Sequence, residues 1–179
     1  MGGTIQTDTR QHAGKHAIKD EWWASHGVST VRTKLDFGDY MAEGSNVSVD
    51  TKRSIAEIAQ NINGRNHDRF KRECIRARDA GCRLVILVEN RDGVTELSGV
   101  NSWTNDHCKS CGYYARRSCR PWDGREKCIK HGTRKPIQGP RLAKAMFTMS
   151  ERYGVNFMFC HPRDTARIIC ELLGVAYDE

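Results

Sequence analysis

The segment Arg83 to Glu89 reads Arg-Leu-Val-Ile-Leu-Val-Glu, an uninterrupted apolar run of strand length between charged ends. A strand with one wet face alternates polar and apolar residues. A run without alternation must be covered on both faces, as in sheets held between helices. The run therefore marks the centre of a sheet and argues against a helical bundle or a two-sheet sandwich. The 179 residues suffice for one layered domain with a single large insertion.

The rest of the chain carries matching periodicities. Thr4 to Asp8 has the length of a short strand, and Ala13 to Ser25, with Ala17, Ile18, Trp22 and Trp23, has helical spacing ended by Gly27. Val28 to Leu35, Phe37 to Met41 and Val47 to Lys52 read as extended segments around a Gly44-Ser45-Asn46 turn, which predicts an antiparallel hairpin or meander. Ser54 with Glu57 forms a capping box, after which Ile55, Ile58, Ala59 and Ile62 share a helical face. Asn66 to Ala80 is a second, highly charged helix. Pro140 and Arg141 open a helix through Met149, Val155 to Phe159 is a strand, and Pro162 stands at the first turn of a last helix to Leu173. The order β-α-β-β-β-α-α-β, an insert, then α-β-α predicts an α/β fold with a mixed central sheet flanked by helices.

No stretch reaches the roughly 20 apolar residues of a membrane span, and Met1 to Ile5 lacks the regions of an export signal. A cytoplasmic protein without membrane contact is the expectation. In that compartment the eight cysteines read as metal ligands or buried thiols, not as a disulfide framework. Charge is unevenly spread: residues 101 to 140 hold nine Lys/Arg against three Asp/Glu, which is +6 of the chain's net +7. A concentrated basic segment points to a polyanionic partner, DNA above all.

That segment also carries a metal pattern. Cys108-Lys109-Ser110-Cys111 is one knuckle and Cys128-Ile129-Lys130-His131 another, with Cys119 between them. Two knuckles supply four tetrahedral ligands for a structural Zn2+. The fourth ligand is either His131 or Cys119, with His107 ranked behind both. Cys74, Cys82, Cys160 and Cys170 lie in regular elements and read as buried thiols. Arg116, Arg117, Arg120, Arg125, Lys127, Lys130, Arg134 and Lys135 surround the ligands, interleaved with Trp103, Tyr113, Tyr114 and Trp122. Cations for phosphates and rings for bases would grip DNA. The same rings could instead fill the module's own small core.

Three acidic residues stand at strand ends: Asp8, Asp39 and Asp50. Lys52 follows Asp50 by two positions, and on an extended strand both therefore share a face; a hairpin partner strand brings Asp39 alongside. Carboxylates that hold Mg2+ or Mn2+, beside an ammonium that positions water or steadies charge, suit phosphodiester hydrolysis.

The runs Asp8-Thr9-Arg10-Gln11, Leu35-Asp36-Phe37-Gly38-Asp39-Tyr40, Val49-Asp50-Thr51-Lys52, Ile62-Asn63-Gly64-Arg65 and Leu84 to Glu89 occur in an order that resembles the nuclease domain of the XPF-type structure-specific endonucleases, in the PD-(D/E)xK superfamily. The resemblance covers residues 4 to 90 and, more loosely, 138 to 173. It implies a restriction-endonuclease-like core at 1–100 and 136–179, with residues 101–135 as a cysteine-rich insert. It further implies that Asp39 and Asp50 are ligands to Mg2+ or Mn2+, with Asp8 a further acidic contributor, that Lys52 is the catalytic lysine, and that Arg10 and Arg65 hold phosphate. Asp50-Thr51-Lys52 departs from the family's usual Glu-Arg-Lys, which shortens one carboxylate and removes one cation. No tandem helix-hairpin-helix follows Leu173, so the insert is expected to take over the grip on DNA. A homodimer is the expected assembly. The alternative is a catalytically silent DNA-binding or assembly subunit with a zinc module.

Overall fold

The computed structural model describes residues 3–10, 17–64, 66–119 and 127–179. Among these, six strands form one mixed sheet. β1 (Thr4–Asp8) lies between β2 (Ser29–Thr33), to which it is parallel, and β3 (Tyr40–Ala42), to which it is antiparallel. β3 turns into β4 (Val47–Lys52) as an antiparallel hairpin, and β5 (Arg83–Glu89) and β6 (Asn156–Cys160) extend the sheet in parallel.

Helices cover both faces. α2 (Ile55–Asn63), α3 (His67–Asp79) and α6 (Gly139–Tyr153) bury Ile58, Phe70, Cys74 and Met146 against Leu84, Ile86 and Val88 of β5. On the other face, α1 (Ala17–Ser25) and α7 (Thr165–Leu173) bury Trp23, Ile169 and Cys170 against Ile5, Val49, Val85 and Leu87. Successive residues of β5 thus feed opposite cores, which is why its sequence does not alternate. At the start of α2, Ser54 Oγ accepts from the Glu57 N–H at 3.1 Å, while Glu57 Oε2 accepts from the Arg53 N–H at 2.9 Å, one residue earlier than in a reciprocal box.

Three expectations differ from the structure. The segment read as the first arm of a meander, β2, pairs among the described residues only with β1, because the α1 crossover returns it parallel at the sheet's edge. None of its residues is buried, consistent with an uncovered edge. β5 is covered on both faces but lies next to the outermost strand β6, not at the geometric centre. The last helix begins at Thr165, with Pro162 in the turn before it.

Beyond β5, a 3-10 turn at Leu97–Ser102 packs on α6. Short helices α4 (Asp106–Lys109) and α5 (Gly112–Ala115) follow, and an isolated antiparallel bridge joins Lys127 to Arg134. Trp103 is 6% exposed and packs in the α2, α3 and α6 core, so this ring is unavailable for stacking on DNA. Tyr113 is exposed, with the Arg116 guanidinium 5.6 Å from its ring centre. Arg120, Trp122 and Arg125 lie outside the described residues. Cys74, Cys160 and Cys170 are buried thiols as expected, and Cys82 is half-buried. No helix among the described residues is long and apolar enough to cross a membrane.

Candidate active site

Strand direction assembles the site. The C-terminal ends of β1, β4 and β5 and the N-terminal end of antiparallel β3 lie at the same end of the sheet. Thr7 pairs with Tyr40 and Tyr40 with Val49, so one step further the chain places Asp8, Asp39 and Asp50 side by side. Backbone bonds pin the register: the Asp8 N–H donates to the Asp39 carbonyl at 3.0 Å, and the Asp39 N–H to the Val49 carbonyl at 2.8 Å.

Side-chain bonds orient the three carboxylates. Asp39 Oδ2 accepts from the Thr51 N–H at 3.0 Å and from Thr51 Oγ1 at 2.7 Å. Asp8 accepts from the Arg10 N–H at 3.2 Å and from Arg10 Nε at 2.6 Å, and Arg10 Nη2 reaches on to the Leu35 carbonyl at 2.6 Å. Lys52 Nζ lies 2.7 and 2.5 Å from the two Asp50 oxygens and 5.8 Å from the centre of the Phe70 ring.

Asp50 is buried and Lys52 nearly so, with side-chain exposures of 7% and 11%. Burial pushes the Asp50 carboxyl up to about 7; Lys52 pulls against this, and the charges of Asp39 and Glu73 add to it. Burial by itself would depress Lys52, but the charge and hydrogen bond of Asp50 outweigh it and leave the lysine raised and protonated. The raised Asp50 carboxyl thus reflects the neighbouring charges of Asp39 and Glu73 as well as burial, partly offset by Lys52.

These residues line an open cleft of about 730 Å3. α3 forms its far wall: Arg69, Arg72, Glu73 and Arg76 face the cleft, while Phe70, Cys74 and Ala77 of the same helix face the core. Glu73 Oε1 accepts from the Gly38 N–H at 3.2 Å, which ties this wall to the loop before Asp39. Sequence reading recognised α3 only as highly charged. The positions 69, 72 and 76 do form one helical stripe, but no local pattern says that the stripe faces the strand ends. Glu89, at the end of β5, meets Lys19 of α1 at 2.7 Å, and both border the same cleft. Arg65 lies outside the described residues.

Gly38 makes the close approach possible. Its φ is +63°, and a Cβ there would press on Ser48 Oγ and come within 2.9 Å of the Val49 carbonyl. Gly38→Ala is expected to cost about 2 kcal/mol or more, since a left-handed non-glycine residue already costs about 1–2 kcal/mol before the crowding is relieved. Urea denaturation measures the loss; an unchanged midpoint would mean that the loop between β2 and β3 tolerates a side chain.

The carboxylates of Asp8, Asp39 and Asp50 are hard oxygen donors, the chemistry that Mg2+ and Mn2+ take. As placed, no three Asp, Glu, His or Cys side chains among the described residues are in position to share an ion. Asp50 is engaged by Lys52, Asp8 by Arg10 and Asp39 by Thr51, so coordination would require these side chains to turn from their present partners. With that, the donor set fits a divalent cation.

A family model described as ERCC4 domain matches residues 7–172. Among solved structures, XPF from Aeropyrum pernix is similar, with a TM-score of 0.55 at 18% identity over 96% of this chain and 60% of that one. This chain thus corresponds to about three fifths of that protein, and at such identity the likeness speaks for the fold alone. No curated protein sequence matches the chain. With a mixed sheet flanked by helices, acidic strand ends at one cleft and a family match spanning nearly the whole length, the chain belongs to the ERCC4-domain family.

Proposed function

We propose that the protein is a DNA endonuclease dependent on Mg2+ or Mn2+ that hydrolyses phosphodiester bonds, with branched or otherwise structured DNA as its substrate class. The observation that supports this reading most directly is the convergence of Asp8, Asp39, Asp50 and Lys52 on one cleft walled by arginines. Asp39 and Asp50 hold the ion, with Asp8 as a third carboxylate. The bound cation supplies a Lewis acid for the phosphoryl oxygen and lowers the pKa of water. Lys52, held charged by its surroundings, donates to the attacking water or to a phosphate oxygen. Arg10, its guanidinium oriented by Asp8, and Arg69, Arg72 and Arg76 on α3 hold neighbouring phosphates of the strand.

The basic insert serves as a second grip on DNA, folded around Zn2+, and a homodimer would present two cleavage sites. The competing reading is a silent DNA-binding subunit; retention of Asp39, Asp50 and Lys52 favours the enzyme. Labelled duplex, flap and junction DNA incubated with the full chain is expected to be cut in Mn2+ or Mg2+ and left intact in EDTA. Binding of these DNAs with no cleavage in either metal would establish the silent reading.

A further inference from the structure

We infer that Cys108, Cys111, Cys119 and Cys128 form a four-thiolate site for one structural Zn2+, and that His131 stands outside the ligand set. The inference rests on the insert alone and is independent of the nuclease reading. All four sulfur-bearing residues line one small cavity of about 30 Å3 beneath Pro136 and Gln138, which His107 and His131 also border. That is roughly the space of a single water molecule.

The backbone is already turned to present them. Cys108 lies on α4 and Cys111 directly precedes α5, and the Cys111 N–H donates to the Cys108 carbonyl at 3.0 Å, closing the first turn. After α5 the chain reverses at Arg117, the one non-glycine residue with positive φ among the described residues, at 58°. There the Ser118 and Cys119 N–H groups both donate to the Tyr113 carbonyl, at 2.9 and 3.1 Å, which carries Cys119 back toward Cys111. A non-glycine residue held in this conformation indicates that something beyond local preference dictates the reversal. The second knuckle is closed by the Cys128 N–H to the Thr133 carbonyl at 2.6 Å and the Gly132 N–H to the Cys128 carbonyl at 2.8 Å, under the bridge between Lys127 and Arg134.

Burial separates the two candidate ligand sets. Cys111 and Cys119 are buried at 7% and 9% exposure and Cys108 and Cys128 are half-buried, whereas His131, at the tip of its turn, is exposed. A structural zinc site fills all four coordination positions with protein ligands, and of the two candidates for the fourth position Cys119 is the buried one. The outer contacts also fit thiolates: the buried Gln138 donates its side-chain amide to Cys108 Sγ at 3.1 Å, and its carbonyl oxygen accepts from the Asn105 N–H at 3.0 Å. Such amide donors commonly hold metal ligands in place. Because Gln138 immediately precedes α6, the same contact fixes the insert to the main domain. As placed, the side chains are not at shared-ion distances, and rotation of the cysteine side chains about formed turns closes them on the ion as each thiol releases its proton to solvent.

Purified full chain is expected to contain about one zinc per molecule, and Co2+ substituted for it should show the visible absorption of tetrahedral thiolate coordination. His131→Ala should keep both properties and Cys119→Ser should lose tight zinc. If Cys119→Ser does not fold, the wild-type chain gives the answer by chelation, since removal of zinc should make four further thiols reactive to a disulfide reagent. Zinc-free protein from zinc-replete cells overturns the site. Zinc loss in His131→Ala, or release of three thiols in place of four, overturns the ligand set.

Discussion

Asp50→Asn, like Asp39→Asn, is expected to reduce cleavage by at least about a thousandfold while leaving the protein folded. Each substitution removes a charged oxygen ligand at almost constant volume, and a metal-stabilised transition state is worth several kcal/mol, of which about 4 kcal/mol corresponds to a thousandfold. Retention of the fold follows from the environment of Asp50. Burial and the neighbouring Asp39 and Glu73 charges already push its carboxyl up to about 7, so a neutral amide resembles the protonated form that the site accepts near neutrality. The amide oxygen can still accept from Lys52 Nζ, which spares the buried ammonium the loss of its partner. For Asp39, the bonds from Thr51 can likewise pass to the amide oxygen. Cleavage rates together with thermal melts in EDTA check both halves of the prediction. Wild-type turnover in either variant would remove that aspartate from the active site.

Lys52→Ala is expected to lower turnover by roughly a hundred- to a thousandfold, the scale seen when one preorganised donor to developing charge is removed. Metal binding should be largely spared. Lys52 lies against both Asp50 oxygens, so removing the ammonium frees the carboxylate while also letting its pKa rise further, and these opposing effects should leave Mn2+ affinity largely in place. Calorimetric titration of Mn2+ into the variant separates this from ligand loss: a fall in affinity as large as in the aspartate variants would show that lysine serves the metal site, not the reaction.

Much of the local structure was legible in the residues because covalent spacing dictates it. Residues two apart on a strand share a face, which put Lys52 with Asp50 before any fold was known. The hairpin between Tyr40 and Val49 does the same for Asp39. The cap at Ser54 and the helical stripe from Ile55 to Ile62 are likewise properties of a few adjacent residues. The order of strands and helices followed from where polar and apolar periods change.

What the chain far apart in sequence does was decided by packing. The parallel edge position of β2 depends on the α1 crossover, and the same strand sequence would serve equally well in a meander. The interleaved aromatic pattern did not reveal that Trp103 belongs to the core and Tyr113 to the surface, since both are rings in a basic segment. The α3 stripe of Arg69, Arg72 and Arg76 is equally silent in sequence, because a charged helical face is normally turned to water. It lines the cleft only because α3 buries Phe70, Cys74 and Ala77 against the sheet and so turns its polar side to the strand ends. The local elements and the pairing of Asp50 with Lys52 are written in neighbouring residues, because bonded geometry sets them. Which distant helix faces those carboxylates is settled by packing, because it depends on burying apolar surface shared among elements remote along the chain.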